Sequence, residues 1–160
     1  MMFGVVQLAK VYQQGASFSG CLFNVVYNGA PLSLWQSVLR SDSRAACCRK
    51  PTSTAFPVAV PTLSALTFLG FGYIVYDRQT LPRSDVSLGL QLKFRTFTPD
   101  AVVLLLTSVD SDVADYCGIF LNGGKIQWYI SLRDGSVFVE TRRTYNTGNW
   151  YTVCGQSVVC

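Results

Sequence analysis

Histidine is absent from the 160 residues of this chain. That one absence removes Ser–His and Cys–His nucleophilic catalysis, imidazole acid–base chemistry and His-ligated zinc together. Charge is scarce too. Asp, Glu, Lys and Arg make up 14% of the residues against 49% apolar ones, which excludes a disordered tail and demands a buried core. The formal charge of +4 is mild and scattered. It gives no argument for nucleic acid, though it is compatible with anionic partners such as acidic glycans. No two cysteines stand at the C-x-x-C spacing of a zinc or dithiol redox centre. The apolar start Met1–Val6 has no basic stretch before it and is interrupted by Lys10, so no secretory leader is legible. Phosphate loops are missing as well: Asn122-Gly123-Gly124-Lys125 lies between strand patterns, not ahead of a helix. The carboxylates, Asp134 and Glu140 among them, form no recognisable glycosidase pair. No enzyme signature survives.

What is present has period two almost throughout. In Val86–Thr96, Leu88, Leu90, Leu92 and Phe94 alternate with Gly89, Gln91, Lys93 and Arg95, the pattern of a strand with one wet face. Burying those four apolar side chains contributes on the order of 6–12 kcal/mol as an upper bound. Thr98-Pro99-Asp100 then turns the chain into a short apolar strand, Ala101–Thr107. Asp115–Leu121, the turn Asn122-Gly123-Gly124 and Lys125–Leu132 follow, with Ile126, Trp128, Ile130 and Leu132 on one face. Asp134-Gly135 then leads into Ser136–Glu140. Short strands at regular spacing with turns between them predict an antiparallel sandwich or barrel. Nearer the N-terminus, Ser19–Tyr27 reads as a strand closed by Asn28-Gly29-Ala30-Pro31 and continued by Leu32–Trp35. The nearest approach to a helix is Ser33–Leu39.

From Pro51 to Tyr76 there is no charge until Asp77, and a membrane helix of about 20 residues is one reading. Pro57, Pro61, Gly70 and Gly72 interrupt it, favouring a linker followed by a buried strand, with no membrane insertion. Six cysteines remain: Cys21, Cys47, Cys48, Cys117, Cys154 and Cys160. An even number in a strand-rich chain points to disulfides and an oxidising compartment, with buried free thiols in a reducing cell as the alternative. Spacing leaves fifteen pairings open. The three tryptophans, Trp35, Trp128 and Trp150, read as core residues.

Two stretches resemble the laminin G-like module, most closely as it occurs in laminin α chains. The first, Phe18-Ser19-Gly20-Cys21-Leu22-Phe23 through Asn28-Gly29-Ala30-Pro31 to Trp35, with the later Cys47-Cys48, is similar to the closing strands of such a module. The second runs from Phe71-Gly72-Tyr73-Ile74 through Leu92-Lys93-Phe94-Arg95-Thr96-Phe97, Ala101–Leu106, Asp115-Tyr116 and Asn122–Ile126. It ends at Tyr145-Asn146-Thr147-Gly148-Asn149-Trp150 and is similar to the opening half of the next module. The expected arrangement is therefore the end of one module in residues 1–50, a linker over 51–64 and the beginning of another in 65–160. Either the chain is a fragment of something longer, or the end piece folds back to complete the beginning piece. The family's Asn-Asp-Gly-x-Trp-His pattern is altered here to Asn146-Thr147-Gly148-Asn149-Trp150-Tyr151, and Cys117, Cys154 and Cys160 have no evident counterpart.

The resemblance implies an all-β, antiparallel jelly-roll (concanavalin-like) sandwich, incomplete in its strands, and a non-catalytic binding role. It implies a disulfide from Cys21 to Cys47 or Cys48, which would stabilise by roughly 3–4 kcal/mol through loop closure. It implies that Asp115 and Asp110, in a loop that also holds Asp112, help bind calcium at the sandwich rim; solvated loop acids are the plain alternative. Arg142 and Arg143, and the cluster Arg40, Arg44, Arg49 and Lys50, are the expected contacts for sulfated or acidic glycans, against ordinary solvated charges. The implied partners are matrix glycans, matrix glycoproteins and cell-surface receptors, and the implied location is extracellular, secreted as part of a longer chain. The rival functions are a sugar-binding lectin and a fragment of a membrane-anchored receptor ectodomain.

Overall fold

The alternation in the middle of the chain is realised as a strand from Ser87 to Thr96, and the rest of the architecture is built around it. The computed structural model describes residues 5–8, 18–33, 38–41, 65–70, 73–77, 81, 87–107, 115–132 and 135–158. These form β1 (Val5–Leu8), β2 (Ser19–Tyr27), β3 (Ala30–Pro31), β4 (Val38–Ser41), β5 (Ala65–Leu69) and β6 (Ile74–Asp77). The remaining strands are β7 (Ser87–Thr96), β8 (Ala101–Thr107), β9 (Tyr116–Asn122), β10 (Lys125–Leu132), β11 (Gly135–Thr144) and β12 (Tyr151–Val158). Every described element is a strand, and every described pairing is antiparallel.

Two sheets result. The larger has the order β11-β10-β9-β8-β1-β6-β4; the smaller runs β12-β7-β2-β3, with β5 pairing the first half of β2. Their apolar faces meet in one core. Leu22, Val25, Tyr27, Leu66, Phe68, Leu88, Leu90, Leu92 and Phe94 come from the smaller sheet; Ile74, Tyr76, Val103, Leu104, Leu106, Cys117, Ile119, Leu121 and Ile126 come from the larger. This is the double-layer solution available to chains whose strands each bury one face. β8 is buried from Ala101 to Leu106, on both faces, which explains why its sequence is continuously apolar and not alternating.

The hairpins follow their turn chemistry. Asn28 and Gly29, with φ of 48° and 78°, join β2 to β3, and Gly123 and Gly124, with φ of 55° and 79°, join β9 to β10. Two consecutive residues at positive φ give the turn whose twist matches that of the flanking strands. Within β2, Asn24 at φ 51° sits where the register with β7 shifts between Phe23 and Val26, a bulge that bends the strand over the core.

Strands from both sides of residues 51–64 share both sheets: β2 lies between β5 and β7, and β1 lies between β6 and β8. Residues 51–64 themselves lie outside the described residues. Within the uncharged run, Ala65–Leu69 and Ile74–Asp77 are strands and not the end of a continuous membrane helix. Among the described residues no helix is long and apolar enough to cross a membrane. Val38–Ser41 is likewise a strand, where a short helix was the nearest candidate. The turn after β2 is tighter than expected, so that Ala30 and Pro31 already pair with Tyr27 and Val26 and the strand ends there.

Candidate functional sites on the sandwich

The expected calcium ligand Asp115 stands at the entry to β9. It is only 7% exposed, and its Oδ1 is buried with no hydrogen-bond partner. A buried carboxylate oxygen without a donor is costly, and a hard cation is one of the few things that compensates it. Asp115 thus fits calcium in donor type and would supply one ligand. Among the described residues no three Asp, Glu, Cys or His side chains come together to complete a site. Asp110 and Asp112 lie outside the described residues.

Arg142 and Arg143 are exposed near the end of β11, the edge strand of the larger sheet. On the same hairpin Lys125 Nζ lies 2.8 Å from Glu140 Oε1, and Gln127 Nε2 donates to Glu140 Oε2 at 2.8 Å. These two hydrogen bonds hold the Glu140 carboxyl below its ordinary range. The other expected glycan contacts, Arg49 and Lys50, lie outside the described residues, as do Cys47 and Cys48.

Cys21 is disulfide-bonded, with its partner outside the described residues. Its Sγ also sits 3.6 Å from Thr67 Oγ1 on β5 and 3.9 Å from Arg95 Nη2 on β7. The other two described cysteines are free thiols in opposite surroundings. Cys117 is fully buried, and loss of solvent pushes its thiol up to about 12; Cys154 is exposed on β12. Tyr76 and Tyr27 are raised by burial as well, Tyr76 donating its hydroxyl to the Ser33 carbonyl at 3.0 Å.

One arrangement was not legible beforehand. Trp150, expected in the core, is 43% exposed and lies beside β7. The Arg95 guanidinium stands over its ring, 5.4 Å from the centroid, and Phe23 meets the ring edge-on at 6.2 Å. The alternation had already assigned Lys93 and Arg95 to a wet face. What sequence spacing lacked was any signal that a residue 55 positions after Arg95 returns to cover it. It returns because β12, which follows Trp150 directly, pairs with β7 from Tyr151 opposite Phe94 onward.

Residues 94–156 match the family model of the Laminin G domain. Over that span the chain is laminin G-like. The matched span takes in the end of β7, all of β8–β11 and most of β12, and so contains Arg95, Asp115, Arg142, Arg143 and Trp150. Laminin subunit alpha-1 of Mus musculus is 26% identical over 139 residues, and laminin subunit alpha-1 of Homo sapiens is 28% identical over 139 residues. In each case the match covers 87% of this chain and 4% of the relative. The chain therefore spans a small part of the curated relatives it matches. No solved structure matches it. The homology gives the chain a general class, a binding-type module related to those of the extracellular matrix.

Proposed function

We propose that the chain is a non-catalytic, extracellular adhesion module that binds matrix glycans or cell-surface receptors through the rims and faces of its sandwich. The observation that supports this reading is the laminin G match over residues 94–156, on a fold of two antiparallel sheets. The absence of histidine from the sequence and the scattering of its carboxylates agree with a binding role.

In this reading calcium binds at the loop before β9. Asp115 is the carboxylate ligand, with Asp110 as the second; the ion supplies a hard positive charge that attracts oxygen-rich ligands. Arg142, Arg143, Arg49 and Lys50 add fixed positive charge for sulfated or acidic sugars. Thermal melting with calcium against chelator, run in parallel on Asp115→Asn, is the test. The melting temperature is expected to rise with calcium in the parent and to stay put in the variant. A parent that ignores millimolar calcium would remove the ion from the proposal. Solid-phase binding to sulfated glycans and to matrix glycoproteins then tests the adhesion role itself.

A further inference from the structure

The smaller sheet has an unusual charge pattern. β2, β3, β5, β7 and β12 contain no Asp or Glu at all, and their charged residues are Lys93 and Arg95 alone. Both cations lie on β7, an interior strand flanked by β2 and β12. Because Leu90, Leu92 and Phe94 are buried in the core, Gln91, Lys93 and Arg95 form a row down the middle of the opposite, outer face. Two residues apart on a strand, the two charges are separated by about 7 Å along the sheet.

Neither cation has an ion-pair partner among the described residues, whereas Lys125 on the larger sheet is neutralised by Glu140 at 2.8 Å. Arg95 is instead held in place by the face of Trp150 and by the contact of its Nη2 with Cys21 Sγ, which leaves its other guanidinium N–H groups free toward solvent. Across the ladder, Lys93 is flanked by Phe23 on β2 and by the exposed Thr152 on β12, and Gln91 lies opposite Cys154. The result is a strip of two unpaired cations, an exposed indole, an amide and a hydroxyl.

We propose that this outer face binds a linear sulfated glycan running along β7. Lys93 and Arg95 take sulfate or carboxylate groups, and Trp150 gives its exposed apolar surface to a sugar ring. The inference rests on the glycan-binding reading above and gives it a face distinct from the Arg142–Arg143 hairpin. A chain of regularly spaced anions matches a row of cations two residues apart. The absence of any carboxylate from these five strands removes the repulsion that such a polymer would otherwise meet.

The test is salt elution of the full chain from immobilised heparin, with each variant's melting curve recorded. The parent is expected to be retained and to be released by dextran sulfate but not by neutral dextran. K93Q/R95Q is expected to elute at lower salt, with affinity down on the order of tenfold. K93R/R95K should hold its retention, and W150A should lose part of it. On the parent protein, heparin should also shield Lys93, and not Lys125, from acetylation by an amine-reactive ester, a readout independent of how any variant folds. If retention falls only in R142Q/R143Q, and Lys93 acetylates equally with and without heparin, the glycan reading stands and this face is wrong. A parent that is not retained overturns both.

Discussion

Two thiols on different sheets, Cys117 on β9 and Cys154 on β12, illustrate how much a single residue's surroundings decide. Cys117 points into the core from β9, and desolvation holds its thiol near 12; Cys154 is exposed on β12. Since the thiolate is the reactive form, iodoacetamide at pH 8 is expected to label Cys154 quickly and Cys117 only after denaturant is added, as read by peptide mass mapping. Asp115 makes the same point for a carboxylate. Its burial and its partnerless Oδ1 belong to its position directly before β9, which begins at Tyr116. Trp150 is the converse: a residue type that belongs inside, left half outside because Arg95 and Phe23 give its ring a place on the sheet surface.

At the scale of elements, the hairpins and the alternating strands were readable in advance, and the edge strands were not. β7 and β8 follow their patterns almost residue for residue, because each buries one face or both and its side chains must comply; on β10 only Ile126 of the expected apolar face is buried, and Leu132 is exposed. The Asn28-Gly29 turn is a matter of local backbone chemistry. An added Cβ at Gly29 meets nothing within 4 Å, so Gly29→Ala would suffer from its φ of 78° alone. It should cost about 1–2 kcal/mol in urea unfolding, with no change in the core. β12 escaped notice because Gly155 breaks its pattern; the glycine is there because the Trp128 ring from β10 occupies the space a side chain would take. β11 runs on to Thr144, four residues beyond the expected end, paired to β10 on one side only.

That edge carries a further consequence. Val137 and Val139, opposite Ile130 and Trp128 on the core-facing side, are 61% and 70% exposed. The smaller sheet ends at β12, which packs Gly155 under Trp128 and does not extend far enough to cover β11. On the outward side a ladder of rings, Tyr116 on Tyr129 at 5.5 Å and Tyr129 on Phe138 at 6.2 Å, leads to the same edge. An exposed apolar stretch on an edge strand, here Val137–Val139, favours self-association. Replacing Val137 and Val139 by Thr should reduce aggregation in light scattering while moving the unfolding free energy by no more than about 0.5 kcal/mol.

For the molecule as a whole, the common core is what couples the strands, and it contains buried acids that must stay neutral. Cys117 is raised from 9.0 to about 12, and Tyr76 is raised above 10.0 by the same loss of solvent. Above pH 9 the unfolded chain releases protons that the folded chain retains, so stability must fall as pH rises. The loss from Cys117 is complete only once the pH passes about 12. The urea midpoint should therefore drop between pH 8 and pH 10.5, and Cys117→Val should flatten part of that drop.

The all-β class, the central strands, the hairpin turns and the separation of Lys93 and Arg95 from the core followed from the sequence by itself. A period of two and turns rich in Asn and Gly act over a few residues and need no knowledge of the rest of the chain. Tertiary structure alone decided which strands became neighbours: β2 beside β7, β1 between β6 and β8, and β12 returning to bring Trp150 over Arg95. Those pairings join residues tens of positions apart. Any strand with one apolar face can pair with many others, and the choice is made by how the whole set of faces closes over one core.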